Sequence, residues 1–186
     1  MFRRWFEEAA KAKIEEPTAM ALATADAKGR PSVRMVLLKD FGESGFVFYT
    51  NRESSKGQDL ERNKRVSLCF YWMPLDKQVR VWGNVEMVSD KEADAYFASR
   101  PRLAQIGAWA SKQSRAMKNR FDLEKKVALY TAKFGIKQVP RPSYWVGYRV
   151  IPEQIEFWTE KPFRLHERLL YTRDSKGRWE VERLYP

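Results

Sequence analysis

The sequence predicts an α+β fold in which an antiparallel β-barrel carries peripheral helices. Most of the chain consists of short segments rich in β-branched, aromatic and other apolar residues, separated by turns that contain glycine, proline or aspartate. Only a few segments have helical periodicity, and they lie between groups of adjacent strands. The 186 residues, 44% of them hydrophobic, are enough to bury the core of one domain, so we expect a single domain over 1–186.

The N-terminal segment is expected to form an amphipathic helix over residues 1–16. Its apolar residues Phe2, Trp5, Phe6 and Ala9 recur at helical spacing. The segment lacks the apolar stretch that a secretory signal requires. We therefore expect this helix to lie on the body of the protein.

The next part of the chain is expected to form a three-strand meander. One turn is built on Asp26, Gly29 and Pro31, and a second has the sequence DFGESG. The strands on either side of these turns are predicted over 18–25, 32–39 and 46–51.

The remaining elements follow from capping residues and turn signals. A helix over 54–63 is capped by Ser54 or Ser55. Ser89 and Glu92 form a capping box that opens the next helix. Further helices are predicted over 90–99, 102–110 and 118–134. Further strands are predicted over 65–72, 77–88, 143–150, 154–160, 164–173 and 178–186.

Charge and cysteine content exclude several classes of protein. The net charge is +11, and most of the excess lies in residues 51–150. Such an excess indicates contact with nucleic acid or with small phosphorylated ligands, and the lack of a nucleic-acid-binding signature favours small anions. Cys69 is the single cysteine, which excludes an intramolecular disulfide framework and favours a cytoplasmic location. No apolar run is long enough to span a membrane, and one histidine with one cysteine argues against a zinc site.

Two segments place cationic and hydroxyl side chains where phosphate is commonly bound. In RMVLLK, Arg34 and Lys39 bracket an apolar strand and lie five residues apart, on opposite faces of a regular strand. In YTNRESSK, Tyr49, Thr50 and Lys56 lie where a strand leads into a helix N-terminus, whose N–H groups attract anions. Strand-end charges in water and an ordinary N-cap explain the same residues, so the pattern alone leaves both interpretations open.

The segment RLHERLLY holds the only histidine of the chain, His166. If this segment is a strand, Arg164, His166 and Arg168 share one face, because side chains alternate along a strand. That face is more cationic than a core strand needs, so it marks a candidate binding surface.

Seven motifs occur in order along the chain: RxVLLK, YTNxxSxK, QVRVxG, YFxSRP, QIGAWxSKQS, IEFW and RLHxR. Together they resemble the pyridoxamine 5′-phosphate oxidase family. The resemblance extends from about residue 5 to the C-terminal ERLYP. Its most specific parts are SRPxxxQIGAW and RLHER.

The resemblance implies a homodimeric FMN-binding split barrel with two flavin sites at the dimer interface. It implies oxidation of pyridoxine 5′-phosphate or pyridoxamine 5′-phosphate to pyridoxal 5′-phosphate, with dioxygen as acceptor and hydrogen peroxide as product. Hydride would pass from the C4′ carbon of the substrate to the flavin, which carries the chemistry. The implied partners are therefore phosphorylated B6 vitamers, dioxygen and a second subunit, with neither nucleic acid nor a membrane.

The resemblance also implies roles for individual residues. Arg164 and His166 would cover the pyridine ring as the catalytic residues, within the C-terminal strands of 150–186 that complete the active site. The substrate would be bound by Lys39, Tyr96, Arg100, Ala104, Arg164, Leu165 and His166. FMN would be bound, partly across the dimer interface, by Arg34, Met35, Val36, Leu37, Leu38, Lys39, Tyr49, Thr50, Ser55, Lys56, Gln78, Gln113, Ser114, Trp158 and Arg168.

Three features depart from the family pattern. Ser55 stands where the family usually has an arginine, for which the nearby Arg52 is a candidate substitute, and Ala104 stands where a serine commonly binds the substrate phosphate. The chain also begins close to its first helix, without the extension that covers the active site in some relatives. Two alternative functions are an FMN oxidase acting on another ring compound, as in phenazine biosynthesis, and a flavin- or nucleic-acid-binding module without turnover.

Overall fold

The computed structural model describes residues 1–186 and contains five α-helices and nine β-strands. The helices are α1 (Phe2–Lys11), α2 (Ser55–Arg62), α3 (Asp90–Ser99), α4 (Arg102–Ala110) and α5 (Asp122–Phe134). The strands are β1 (Ala19–Ala25), β2 (Pro31–Leu37), β3 (Asp40–Gly42), β4 (Gly45–Asn51), β5 (Arg65–Trp72), β6 (Lys77–Met87), β7 (Trp145–Thr159), β8 (Glu167–Arg173) and β9 (Trp179–Leu184). Short 3₁₀ turns occupy Met73–Leu75 and Pro162–Arg164.

All nine strands belong to one antiparallel sheet. Seven of them follow the order β2-β1-β5-β6-β7-β4-β3. The long strand β7 pairs with β6 along one edge, and its other edge is shared by β4 and β8. β9 then pairs with β8. This curled antiparallel sheet with helices on its periphery confirms the predicted α+β fold class.

The predicted three-strand meander is wrong, because β2 and β4 are not neighbours in the strand order. The chain leaves the first hairpin between two consecutive residues. The backbone N–H of Leu38 donates to Thr18 O at 2.8 Å, next to β1, and the N–H of Lys39 donates to Val47 O at 2.8 Å, in β4. This crossing links the two ends of the sheet and curls it. Pattern reasoning also missed β3, which lies within the predicted turn DFGESG.

The main core fills the inside of the curled sheet. Residues alternate between buried and partly exposed along β1 and β5, as expected for strands with one face toward a core. The helix α1 covers one opening with Phe2 and Trp5, and the Phe2 ring lies 4.9 Å from the ring of Phe46 and 5.1 Å from that of Phe70. The predicted packing of this helix is confirmed. Its predicted end at residue 16 is wrong, because Lys13 adopts a φ of 55° just beyond the last turn.

A second, smaller core joins α3, α4 and α5 to the start of β7. It consists of the buried residues Phe97, Ile106, Phe134, Val139 and Trp145. The helices α3 and α4 match their predicted ranges, whereas α5 begins four residues later than predicted. The cluster fixes α3 and α4 against the outside of the barrel.

Strand β7 replaces two predicted strands, 143–150 and 154–160. Pro152 lies within it and has no N–H to donate, but it lies opposite Gly83 next to an irregularity in the β6–β7 register. A Cβ on Gly83 would lie 2.0 Å from Ile151 O, so this close approach of the two backbones requires glycine. The register break accommodates the proline, so β7 continues as one strand from Trp145 to Thr159.

Helix α2 begins where the sequence predicts, and its cap is Ser54. The Ser54 hydroxyl accepts a hydrogen bond from the N–H of Gly57 at 3.3 Å. A Cβ on Gly57 would lie 2.1 Å from Arg52 O, so the loop before the helix packs directly on the glycine backbone. This contact fixes the path of the chain from β4 into α2.

Gly57→Ala is therefore expected to lower the free energy of unfolding by about 1–3 kcal/mol, the usual cost of overpacking. The matched control is Gly107→Ala in α4, where a Cβ would contact nothing within 4 Å. That change is expected to raise stability by about 0.5–1 kcal/mol through helix propensity. Urea unfolding of both variants measures the difference, and equal effects would contradict the tight contact at Gly57.

Candidate functional site

A cleft of about 460 Å³ opens between β2, β4, α2 and α3. Cationic, aromatic and hydroxyl side chains from segments far apart in the sequence meet there. The lining residues are Arg34, Met35, Val36, Leu37, Lys39, Tyr49, Thr50, Lys56, Tyr96, Arg100, Gln113 and Trp145. The structure thus brings most of the predicted FMN- and phosphate-contacting residues into one place.

Arg34 and Lys39 both line the cleft, although alternation along a regular strand places them on opposite faces. The regular strand β2 ends at Leu37, and the backbone then turns to join β4. Leu38, also predicted to contact FMN, points into the core with 3% of its surface exposed. The cleft therefore lies where the chain passes from β2 to β4, and both cations reach it.

Arg34 is held in place by groups on neighbouring strands. Its guanidinium donates to Thr24 Oγ1 at 2.7 Å, to Ser32 Oγ at 2.6 Å and to Leu22 O at 3.2 Å. Burial lowers the pKa of Arg34, while Asp59, 3.9 Å away, raises it. One distant carboxylate compensates only part of this charge.

Lys56 is a buried cation whose contacts are hydroxyl groups. Its Nζ donates to Thr50 Oγ1 at 3.2 Å and to Ser54 Oγ at 3.4 Å. Burial lowers the pKa of Lys56, and the neighbouring Arg34 lowers it further. A lysine in this position lacks a counter-ion and is suited to bind an anion.

The opposite wall of the cleft is a stack of aromatic rings. The Tyr49 ring lies 4.2 Å from Tyr96 and 5.0 Å from Trp145, both nearly parallel to it. Tyr49 lies opposite Gly147 in the β4–β7 register, and a Cβ on Gly147 would lie 2.6 Å from the Tyr49 ring. Burial raises the pKa of Tyr49 to about 12, so its hydroxyl stays protonated and can donate a hydrogen bond.

Arg100 completes this wall. Its guanidinium carbon lies 4.9 Å from the centre of the Trp145 ring, and its buried Nη1 has no hydrogen-bond partner. Burial lowers the pKa of Arg100, whereas Tyr96 raises it. An orphaned buried donor on a cation fits an anionic ligand, because the ligand supplies the missing acceptor.

Helix α3, which carries Tyr96 and Arg100, is fixed at both ends by residues that pattern reasoning missed. Near its start, Arg149 donates to both carboxylate oxygens of Glu92 at 2.9 and 3.0 Å. At its end, the buried Gln105 amide donates to the carbonyl oxygens of Phe97, Ala98 and Arg100. The motif QIGAW was the only indication of Gln105, because a helix cap provided by a side chain of the following helix leaves no local signal in the sequence.

Three predicted residues lie beside the cleft and not in it. Ala104 lines an adjoining recess of about 360 Å³ that shares Tyr49, Arg100 and Gln113 with the cleft. Ser55 is exposed on the first turn of α2, and Ser114 lines a separate recess in the loop that follows α4. Arg52, the candidate substitute for the missing arginine, pairs with Glu61 at 2.8 Å and does not line the cleft.

A second group of predicted residues lies elsewhere, on the outer face of the sheet. Gln78, Trp158 and Arg168 are aligned across β6, β7 and β8 by the strand register. None of them lines the cleft.

The predicted single face of Arg164, His166 and Arg168 is wrong. Phe163 and Arg164 have φ angles of 59° and 61° within a 3₁₀ turn, and β8 begins only at Glu167. His166 Nδ1 accepts a hydrogen bond from the Lys161 N–H at 3.2 Å, and its ring lies 4.7 Å from that of Trp158. The imidazole therefore presents Nε2 as its outward group, beside the row of Gln78, Trp158 and Arg168.

An apolar stripe borders both groups. Val33, Met35 and Leu37 on β2 are 69%, 64% and 38% exposed, and the register places Met35, Ala21 and Cys69 on one cross-strand row. This outer face is apolar where a solvent-facing strand is normally polar.

None of the five helices has the length and apolar composition that crossing a membrane requires.

Comparison with known proteins identifies the family of the chain. Residues 6–134 match the family model described as "Pyridoxamine 5′-phosphate oxidase", and residues 145–186 match the "Pyridoxine 5′-phosphate oxidase C-terminal dimerisation region". The chain is 58% identical over 187 residues to the pyridoxine/pyridoxamine 5′-phosphate oxidase of Brucella canis, covering 100% of the chain and 92% of that protein. The corresponding protein of Mesorhizobium japonicum is 55% identical over 186 residues, covering 100% of the chain and 91% of that protein.

Solved structures show the same fold. PhzG from Burkholderia lata, in complex with tetrahydrophenazine-1-carboxylic acid, superposes with a TM-score of 0.94 at 34% identity and covers 100% of this chain and 90% of its own. A pyridoxamine 5′-phosphate oxidase-related, FMN-binding protein from Nostoc punctiforme has a TM-score of 0.80 at 18% identity, with 100% and 97% covered, which is a likeness of fold alone. The family matches span nearly the whole chain, and the chain belongs to the pyridoxamine 5′-phosphate oxidase family of oxidoreductases.

Proposed function

We propose that this protein uses FMN to oxidise pyridoxine 5′-phosphate and pyridoxamine 5′-phosphate to pyridoxal 5′-phosphate. The observation that carries the proposal is a pair of undercompensated cations in one cleft, namely the buried Lys56 and the half-buried Arg100, whose buried Nη1 has no partner. A cofactor and a substrate that each carry a phosphate need two such sites close together. The names of the relatives in Brucella and Mesorhizobium support the same reaction.

The residues on the α2 side fit the phosphate of FMN. Lys56, Thr50 and Arg34 converge there from α2, β4 and β2, and the first N–H groups of α2 lie nearby. Bound FMN would supply the acceptor for a hydride and would pass the electrons on to dioxygen, which leaves as hydrogen peroxide; with the amine substrate, water would also be consumed and ammonia released. The protein's own contribution is to bind and orient the two ring systems.

The residues on the α3 side fit the phosphate of the substrate. Tyr96 lies in the last turn of α3 and Arg100 is the residue that caps its end, and both line the cleft together with Lys39. The protonated Tyr49 hydroxyl adds a donor on the same wall. Ala104 gives no hydrogen bond from the adjoining recess, so Arg100 carries more of the phosphate binding.

Two subunits would complete each site. The cleft residues and the row of Gln78, Trp158 and Arg168 lie on different surfaces of one chain, so one flavin that contacts both would lie between two copies. The exposed apolar stripe on β2 supplies a surface for a second copy, and the C-terminal family model is named for dimerisation. In such a homodimer, Arg164 and His166 from the turn before β8 would cover the substrate ring.

A second candidate is an oxidase for a ring compound without phosphate. The close superposition with PhzG, which was solved with a tetrahydrophenazine carboxylic acid, favours it. Such a substrate has a carboxylate that Arg100 could also bind. Such a substrate has no phosphate, so it does not require all three of Lys39, Tyr96 and Arg100.

The proposal is tested by anaerobic mixing of the FMN-loaded protein with each substrate. Pyridoxine 5′-phosphate is expected to bleach the flavin absorbance, and a reduced tetrahydrophenazine carboxylate is expected to do so far more slowly. Arg164→Leu and His166→Ala are expected to keep FMN bound while the bleaching slows. If the tetrahydrophenazine carboxylate bleached the flavin and pyridoxine 5′-phosphate did not, the second candidate would be established instead.

Lys56→Ala is expected to weaken FMN binding by about ten- to a hundredfold, since a charge-assisted hydrogen bond to phosphate contributes roughly 1.5–3 kcal/mol. Fluorescence titration of the apoprotein with FMN measures the change. Lys64→Ala is the matched control, because Lys64 is exposed and remote from the cleft. Equal affinities of the two variants would remove Lys56 from the flavin site.

Arg100→Leu is expected to raise the KM for pyridoxine 5′-phosphate by about tenfold or more, while FMN affinity stays unchanged. The ratio of kcat/KM between pyridoxine 5′-phosphate and unphosphorylated pyridoxine isolates the phosphate contact. This ratio should fall in the variant and stay constant in Arg62→Ala, whose side chain is exposed on α2. An unchanged ratio in Arg100→Leu would show that this arginine does not bind the substrate phosphate.

A further inference from the structure

A buried carboxylate lies at the centre of the outer face of the sheet, outside the cleft. Glu156 on β7 is only 3% exposed, although its neighbours on the same face are partly open to solvent. The register places Arg80 on β6 and Leu170 on β8 directly beside it. Trp158 lies two residues further along β7 and therefore on the same face.

Glu156 holds Arg168 in a two-point contact. Arg168 Nε donates to one carboxylate oxygen at 3.1 Å, and Nη2 donates to the other at 3.0 Å. The third contact is from Arg168 Nη1 to the carbonyl oxygen of Tyr185 at 2.9 Å. A guanidinium held through such a fork has a fixed plane, and the second hydrogens on Nη1 and Nη2 stay free for a ligand.

Stability alone does not explain an ionised group at this position. A buried ion pair is often no more stabilising than apolar side chains of the same volume, because two charges must leave water. The second arginine, Arg80, approaches Glu156 to 3.7 Å, so the cluster carries two cations and one carboxylate. Its excess positive charge suits an anionic or electron-rich ligand in front of the row formed by Gln78, Trp158 and Arg168.

We infer that Glu156 is a positioning residue for the flavin site, which fixes the guanidinium of Arg168 in the orientation that meets the isoalloxazine ring. This inference rests on the proposed function, because it assigns Arg168 to FMN. Glu156 touches neither ligand and acts only through Arg168. Trp158 and His166 pack beside this pair, so the orientation of Arg168 is set within one chain before any partner binds.

The test compares FMN affinity of the apoprotein in Glu156→Gln and wild type, by quenching of flavin fluorescence. Glutamine keeps the volume and one acceptor but loses the charge and the two-point contact, so the Kd for FMN is expected to rise about tenfold. The control is Glu153→Gln, an exposed change on the same strand, with an expected shift within about twofold. Sedimentation of both apoproteins should give the same assembly state.

A double-mutant cycle separates positioning from general destabilisation. In an Arg168→Leu background, Glu156→Gln should change FMN affinity by less than about twofold, because Glu156 has nothing left to orient. Fully multiplicative losses, an unchanged Kd in Glu156→Gln, or a loss of assembly that accounts for the weaker binding would each overturn the inference.

Glu156→Asp is the substitute variant if Glu156→Gln does not fold. It keeps the charge and shortens the reach of the side chain. Weaker FMN binding at an unchanged Tm would support positioning, whereas an unchanged Kd would overturn it. If wild type itself binds no FMN, the proposed function fails together with this inference. Wild-type binding and turnover with an unaffected Glu156→Gln variant reject the positioning role alone.

Discussion

The switch of backbone hydrogen bonding between Leu38 and Lys39 is the constraint on which the site depends. Leu38 still bonds beside β1, whereas Lys39 already bonds to β4, so one peptide unit joins the two ends of the sheet. The switch leaves Leu38 buried and Lys39 at the cleft that Arg34 also lines. Without this crossing β2 and β4 would stay at separate ends of the sheet, and the cleft between them would not exist.

The cleft concentrates positive charge that the chain itself leaves largely uncompensated. Lys56 contacts hydroxyl groups, Arg100 has a buried nitrogen without a partner, and Arg34 has one carboxylate 3.9 Å away. Such an arrangement costs stability in the free protein, because buried donors have lost water without gaining an acceptor. A phosphate that supplies those acceptors binds the folded state only, so ligand binding and fold stability are linked.

The fold class and most helices are predictable from local signals, whereas most cleft residues are predicted only through the resemblance of their motifs to a known family. The Ser54 cap and the range of α3 follow from residues within one helical turn. Strand pairing was predicted wrongly between β2 and β4, since pairing depends on contacts that no local pattern encodes. The face of RLHER was also wrong, because the left-handed φ values at Phe163 and Arg164 break the alternation on which that prediction relied.

The residues that pattern reasoning missed share one property, which is that they position other parts of the chain and line no part of the cleft themselves. Gln105 and Arg149 hold α3, Gly147 leaves room for Tyr49, and Glu156 orients Arg168. Each is recognisable only from a partner distant in sequence. The cations of the cleft and those of the outer sheet face are likewise grouped by contacts between residues that are distant in sequence. Each surface is built within one chain, so under the proposed function a flavin that needs both would bind only where two copies meet, and cofactor affinity and assembly would form a single equilibrium.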